Sequence, residues 1–160
     1  MIGGLHMTTL THEDLRKAAV RWLTNSKKCS VVLSEMVSAA GEIPDAIGWK
    51  GGFSYVVECK ARRSDFHANK LKCHERGNNG MGSHRYFLCT PDTITVEDLA
   101  ESDYGLLWIE EDGNFRDIRV KREPVTRETD SKKEICILVS ALRRVRTPGF
   151  LTINILADAG

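Results

Sequence analysis

Phe53-Ser54-Tyr55-Val56-Val57-Glu58-Cys59-Lys60-Ala61-Arg62 is the stretch on which the reading of this 160-residue chain turns. Phe53, Tyr55, Val57, Cys59 and Ala61 are apolar or small, and they alternate with Ser54, Val56, Glu58, Lys60 and Arg62. Alternation with a period of two marks a β-strand, whose successive side chains point to opposite sheet faces. Glu58 and Lys60 therefore project from one face, while Cys59 turns the other way, into the core.

Immediately upstream, glycines and Pro44 surround Ile43, Ala46, Ile47 and Trp49 between Gly41 and Gly52. This predicts a short strand that leads through Lys50-Gly51-Gly52 into the first, with Pro44-Asp45 on it. Cys29 to Leu33 is a β-branched run and reads as another strand. Earlier still, Thr11-His12-Glu13-Asp14 has the form of a capping box, and Leu15, Ala18, Ala19, Trp22 and Leu23 recur at helical spacing. Asn25-Ser26-Lys27-Lys28 ends that helix.

Downstream, Ser64-Asp65 starts a helix that runs through Phe66, Lys70 and Leu71 to Gly77, followed by a loop from Gly77 to Gly82. Tyr86 to Cys89 is the next strand, stopped by Thr90-Pro91. Strand, helix and strand in that order predict a right-handed crossover between parallel neighbours. Val96 to Leu99 suggests a short helix, and Leu106–Ile109 with Phe115–Val120 a hairpin around Asp112-Gly113. Lys121 to Lys133 reads as a polar, exposed segment. Glu134 to Arg146 reads as a helix, apolar at Ile135, Leu138, Val139, Leu142 and Val145, with basic residues at its C-terminal end.

The sum is an α/β chain: one domain over residues 11–146 with a central mixed β-sheet flanked by helices. A short extension, 1–10, precedes it, and an apolar tail, 147–160, is expected to pack on the core or on a partner subunit. With a net charge of +1, global electrostatics point to no partner. No apolar run approaches the length of a membrane span, and Met1–Met7 lacks the basic start and apolar centre of a secretory signal. Five widely spaced cysteines, Cys29, Cys59, Cys73, Cys89 and Cys136, read as reduced buried thiols, so a cytoplasmic location is expected.

Chemistry concentrates around the opening strand. Asp45 and Glu58 are two carboxylates separated by twelve residues and placed on adjacent strands, with Lys60 beside the second. Mg²⁺ and Mn²⁺ prefer oxygen ligands, so two carboxylates and a substrate phosphate make a suitable site. Phosphodiester hydrolysis needs an activated water and neutralised phosphoryl oxygens, and an ammonium group beside the metal serves both ends. From Lys60 to Arg85 there are seven basic residues, Lys60, Arg62, Arg63, Lys70, Lys72, Arg76 and Arg85, against Asp65 and Glu75. That local excess of +5 predicts a polyanion-facing surface with salt-sensitive affinity. The same letters recur as Pro91-Asp92 with Asp130-Ser131-Lys132, but there the acid falls in a charged loop with no strand around it.

Pro44, Asp45, Glu58 and Lys60, in this order of elements, resemble the PD-(D/E)XK phosphodiesterase superfamily and its restriction-endonuclease-like fold. The resemblance spans roughly Thr11 to Pro91. It implies that Asp45 and Glu58 bind Mg²⁺ or Mn²⁺, with the backbone carbonyl of Cys59 as a further ligand and Lys60 acting on the water. It also implies a third carboxylate, for which Glu35 is the preferred candidate and Glu13 and Glu42 are rivals. Arg62, Arg63, Lys70, Lys72, Arg76 and Arg85 become the expected DNA contacts. A looser likeness to small bacterial and phage nucleases of the MmcB-like group rests on Arg63-Ser64-Asp65-Phe66, Tyr86-Phe87-Leu88 with Pro91, and Tyr104-Gly105-Leu106-Leu107. It implies DNA as substrate, 5′-phosphate products and a role in DNA repair, recombination or phage DNA processing. A homodimer is expected for double-strand cutting. The alternative reading is a non-catalytic nucleic-acid-binding module on the same fold.

Overall fold

In the computed structural model, which describes residues 9–75, 80–112 and 115–145 (at 70–75, 111–112 and 115–116 the backbone alone), helix α1 spans His12–Asn25. Thr11 caps it reciprocally: the Asp14 amide donates to Thr11 Oγ1 at 3.2 Å, and the Thr11 amide donates to Asp14 Oδ2 at 2.9 Å. Leu15, Ala18, Ala19, Trp22 and Leu23 are its buried stripe. The chain leaves the helix through Lys28, whose φ of 60° is left-handed, and the Cys29 amide turns back to the Leu23 carbonyl at 2.9 Å.

Six strands follow in spatial order equal to chain order: β1 (Val31–Leu33), β2 (Ala46–Lys50), β3 (Phe53–Cys59), β4 (His84–Cys89), β5 (Gly105–Asp112) and β6 (Phe115–Arg122). β1, β2 and β3 pair antiparallel, β3 pairs parallel with β4 and β4 with β5, and β6 closes the sheet antiparallel to β5. Helix α2 (Arg63–Glu75) makes the β3–β4 crossover, and a 3₁₀ turn at Glu97–Leu99 lies between β4 and β5. Helix α3 (Ser131–Leu142) comes last. The mixed sheet flanked by helices is the architecture read from the alternation of β3.

Each sheet face has its own core. α1 lays Leu15, Ala18, Ala19, Trp22 and Leu23 over Val57, Cys59, Tyr86, Leu88, Leu107 and Ile109. On the opposite face Phe66 of α2 packs with Phe87, Cys89, Ile94, Leu99, Tyr104 and Leu106, and Ile137 of α3 packs with Ile47, Val56 and Met81. Gly105 is needed where β5 starts, because a Cβ there would stand 2.6 Å from the Tyr86 ring and 2.8 Å from the Arg122 carbonyl oxygen. No helix among the described residues is long and apolar enough to cross a membrane.

Three local expectations change. Asp45 stands one residue before β2, where the sequence places it on the strand. The last helix starts at Ser131 instead of Glu134, because Asp130 caps it by accepting from the Lys133 amide at 3.1 Å, so Asp130-Ser131-Lys132 opens a helix and does not lie in a loop. A helix apolar at Ile135, Val139, Leu142 and Val145 ordinarily turns those side chains inward. Here they are exposed, and Glu134 and Ile137 are the buried residues of α3. The reason is the Glu134 carboxylate, which accepts from Trp49 Nε1 at 3.0 Å, Ser54 Oγ at 2.6 Å, the Gly82 amide at 3.0 Å and Thr129 Oγ1. Burial pushes this carboxyl up, and the four donors more than reverse the shift and hold it below its ordinary range. The expected turn at Asp112-Gly113 and the apolar tail fall wholly or partly outside the described residues.

Candidate active site

The antiparallel register of β2 and β3 ends with Ala46 opposite Val57, which brings Asp45, one residue before β2, to the end of β3 near Glu58. Asp45 Oδ2 accepts the Cys59 amide at 2.7 Å, which fixes its carboxylate at the C-terminal end of β3. Glu58 is only 18% exposed at its side chain. Burial, and next the negative charge of Asp45, push its carboxyl up to about 7, while Arg85 and Lys60 pull it down and Glu42 adds to the rise. The Asp45 charge thus adds to the cost of ionising Glu58 at one sheet end. Lys60 continues the strand through its amide, which donates to the Leu88 carbonyl at 2.9 Å, and its ammonium sits 5.9 Å from the Phe87 ring centroid. Cys59 turns its thiol into the α1-facing core, and burial pushes that thiol far up, which makes it inert.

The rival acids separate cleanly. Glu35 comes to Asp45: its carboxylate, the Asp45 carboxylate and the His12 imidazole present ligand atoms all within 4.8 Å of one another. His12 Nε2 lies 3.2 Å from Asp45 Oδ1. Glu35 adopts φ 47°, a left-handed backbone that costs a non-glycine residue about 1 kcal/mol or more. Glu42 lies on the Glu58 side, where it accepts from the Met81 amide and from Arg85, both at 3.1 Å. Glu13 is turned away and held by Arg16 at 2.6 and 2.9 Å.

The basic residues also divide. Arg62 is exposed at the junction of β3 and α2. Arg63 is engaged within the fold, bidentate on Asp98 at 2.8 Å for each nitrogen and donating to the Thr93 carbonyl at 3.1 Å. That guanidinium holds the Asp98 carboxyl well below the usual carboxylate range. Arg85, 13% exposed, reaches inward between Glu42 at 3.1 Å and Glu58 at 3.9 Å, with its guanidinium 5.2 Å from the Tyr104 ring centroid. Lys70 and Lys72 are in α2, but their side chains, and all of Arg76, lie outside the described residues.

Sequence reasoning misses His12, Arg85 as an internal counter-charge and Glu134 as a buried anchor. Each acquires its place through contacts dozens of residues apart in the chain, and no local pattern encodes those contacts. His12 directly follows the capping Thr11, which fixes its position but gives no hint of Asp45 beside it.

No family model and no curated protein matches the chain. Among solved structures it is similar to SPO1766, a protein of unknown function from Silicibacter pomeroyi, with 20% identity and a TM-score of 0.58 over 88% of this chain and 90% of that one. At that identity the likeness concerns the fold, an α/β arrangement with a six-stranded mixed sheet.

Proposed function

We propose that the chain is a divalent-metal-dependent nuclease of the PD-(D/E)XK kind that hydrolyses DNA phosphodiester bonds in repair, recombination or phage DNA processing. One observation carries this reading: Asp45, held by the Cys59 amide, lies close enough to Glu58 for its charge to raise that carboxyl, with the Lys60 ammonium also close enough to act on it. The donor set fits a hard cation, because a buried carboxylate raised to about 7 beside a second carboxylate is short of positive charge. Asp45, Glu58 and the Cys59 carbonyl would hold the ion. A bound divalent cation supplies Lewis-acid charge neutralisation at the phosphoryl oxygens and lowers the pKa of water.

The remaining steps belong to side chains. Lys60 orients the attacking water and stabilises charge that builds on the phosphoryl group. Arg85, 3.1 Å from Glu42 and 3.9 Å from Glu58, sets a fixed positive charge beside the carboxylates. Arg62, Lys70, Lys72 and Arg76 supply the outer backbone contacts. Two copies related by two-fold symmetry would cut both strands.

Incubating supercoiled plasmid and linear DNA with Mg²⁺ or Mn²⁺ tests this reading. Wild-type protein should cleave, and Lys60→Ala should lose roughly 10²-fold or more in rate with an unchanged circular-dichroism spectrum. Equal cleavage by both proteins would remove the proposal. The second reading, a nucleic-acid-binding module without chemistry, is favoured by Arg85, which already sets one positive charge between Glu42 and Glu58 from within. Under that reading DNA is retained in EDTA and Mn²⁺ gives no heat of binding.

A further inference from the structure

We infer that the outer face of α3 is a docking surface for residues 150–156 of the same chain, which cover Ile135, Val139 and Leu142.

Ile135, Val139 and Leu142 follow an i, i+4, i+7 spacing, so they share one face of the helix. They are 59%, 47% and 50% exposed, whereas the other side holds the buried Glu134 and Ile137. The segment from Met36 to Glu42 runs beside the helix. Arg144 donates to the Val37 carbonyl at 3.1 Å near one end of α3, and the Lys133 ammonium lies 3.5 Å from Glu42 at the other. Val37 and Ile43, in and next to that segment, are also exposed. Apolar side chains gathered in this way on an outer surface mark a place of contact.

Position and length single out the occupant. α3 ends at Leu142 and the described residues end at Val145, so the chain leaves at one end of the stripe. Residues 146–149 come next, and Pro148-Gly149 among them stops a helix and favours a turn. In 150–156, Phe150, Leu151, Ile153, Ile155 and Leu156 are apolar. The stripe from Ile135 to Leu142 is about 10 Å long at the helical rise. Seven residues reach about 10 Å as a helix and up to about 23 Å when extended, so 150–156 span the stripe in either form. A tether this short keeps them beside α3 at an effective concentration on the order of millimolar, which a free competitor has to exceed.

Charge argues against a second copy in the same place. Lys132 and Arg143 flank the stripe and are exposed, and the one acid within α3, Glu134, is buried. Two copies laid face to face along α3, parallel or antiparallel, would press these cations together. Residues 147–160 have no lysine or arginine and one acid, Asp158, so they cover the stripe without that repulsion.

Hydrogen–deuterium exchange of the full chain, read by mass spectrometry on peptides that contain 150–156, tests the assignment. These amides should exchange about tenfold or more slowly than in a free peptide of the same sequence, equally in dilute and concentrated samples. Val139→Ser/Leu142→Ser changes two side chains that the rest of the described fold leaves exposed. Its circular-dichroism spectrum should be unchanged while the protection of 150–156 is lost. Ile153→Ser/Ile155→Ser should speed exchange in the α3 peptide, and joining both pairs should do no more than either alone. Unprotected amides at 150–156 in the wild-type chain would overturn the inference. So would protection that survives Val139→Ser/Leu142→Ser, which places the segment elsewhere, or protection that vanishes on dilution, which gives the surface to a second copy. None of these measurements involves DNA or metal, so each outcome leaves the nuclease reading where it stands.

Discussion

Glu58 ties the electrostatics of the site to the stability of the chain. Its carboxyl is pushed up to about 7 in the folded protein, against an ordinary value near 4.5. Between those two values the folded chain binds more protons than the unfolded one, so stability falls as pH rises through this window. The loss is complete above the folded value and absent below the unfolded one. Metal-free protein in EDTA should therefore resist urea better at pH 5.5 than at pH 8, with roughly 2 kcal/mol assigned to this group. Glu58→Gln should flatten that slope, and divalent metal should reverse it, because a bound cation favours the ionised carboxylate. A wild-type profile flat from pH 5 to 8 in EDTA would show that burial and the Asp45 charge do not raise the Glu58 carboxyl.

At the scale of the elements, α3 is held by its acid more than by its apolar surface. Glu134 takes donors from β2, β3, the Gly82 turn and Thr129, so one side chain joins four segments. Glu134→Ala would strand these donors in a buried space, and we expect a loss of about 3–5 kcal/mol in urea unfolding, with the Trp49 environment disturbed. A loss under about 1 kcal/mol would mean that Ile137 alone anchors the helix. This element also shows where the sequence stops being informative. β3 is legible from its alternation, α1 from its Thr11 cap and five-residue stripe, and the nearness of Asp45 to Glu58 from two strands joined by Lys50-Gly51-Gly52. All three are local, and neighbours in the chain decide them. The orientation of α3 is not local: its apolar residues favour one face, and hydrogen bonds from Trp49 and Ser54, 85 and 80 residues away, choose the other. His12 beside Asp45 and Arg85 between Glu42 and Glu58 are hidden for the same reason, since each is a meeting of segments that only the closed fold brings together.

Across the whole molecule, a net charge of +1 leaves any polyanion to be gathered by a local surface. The stretch from Lys60 to Arg85 has seven basic residues, but Arg63 is spent on Asp98 and Arg85 lies inside the site. Arg62, Lys70, Lys72 and Arg76 remain as candidate phosphate contacts, which predicts a slope of log K against log salt of roughly −3 to −4 for duplex DNA. Fluorescence anisotropy in Ca²⁺ measures it, and a slope near zero would remove DNA from the list of partners. The sheet itself contributes to how copies of the chain can meet. One rim is β1, three residues long, and the other is β6, where Asp117–Arg119 and Lys121–Glu110 pairs line the strand. A brief rim and a charged rim both discourage strand-by-strand growth between molecules. Sheet-edge pairing between molecules, the usual route to open-ended β-polymers, is thereby disfavoured at both ends of this sheet.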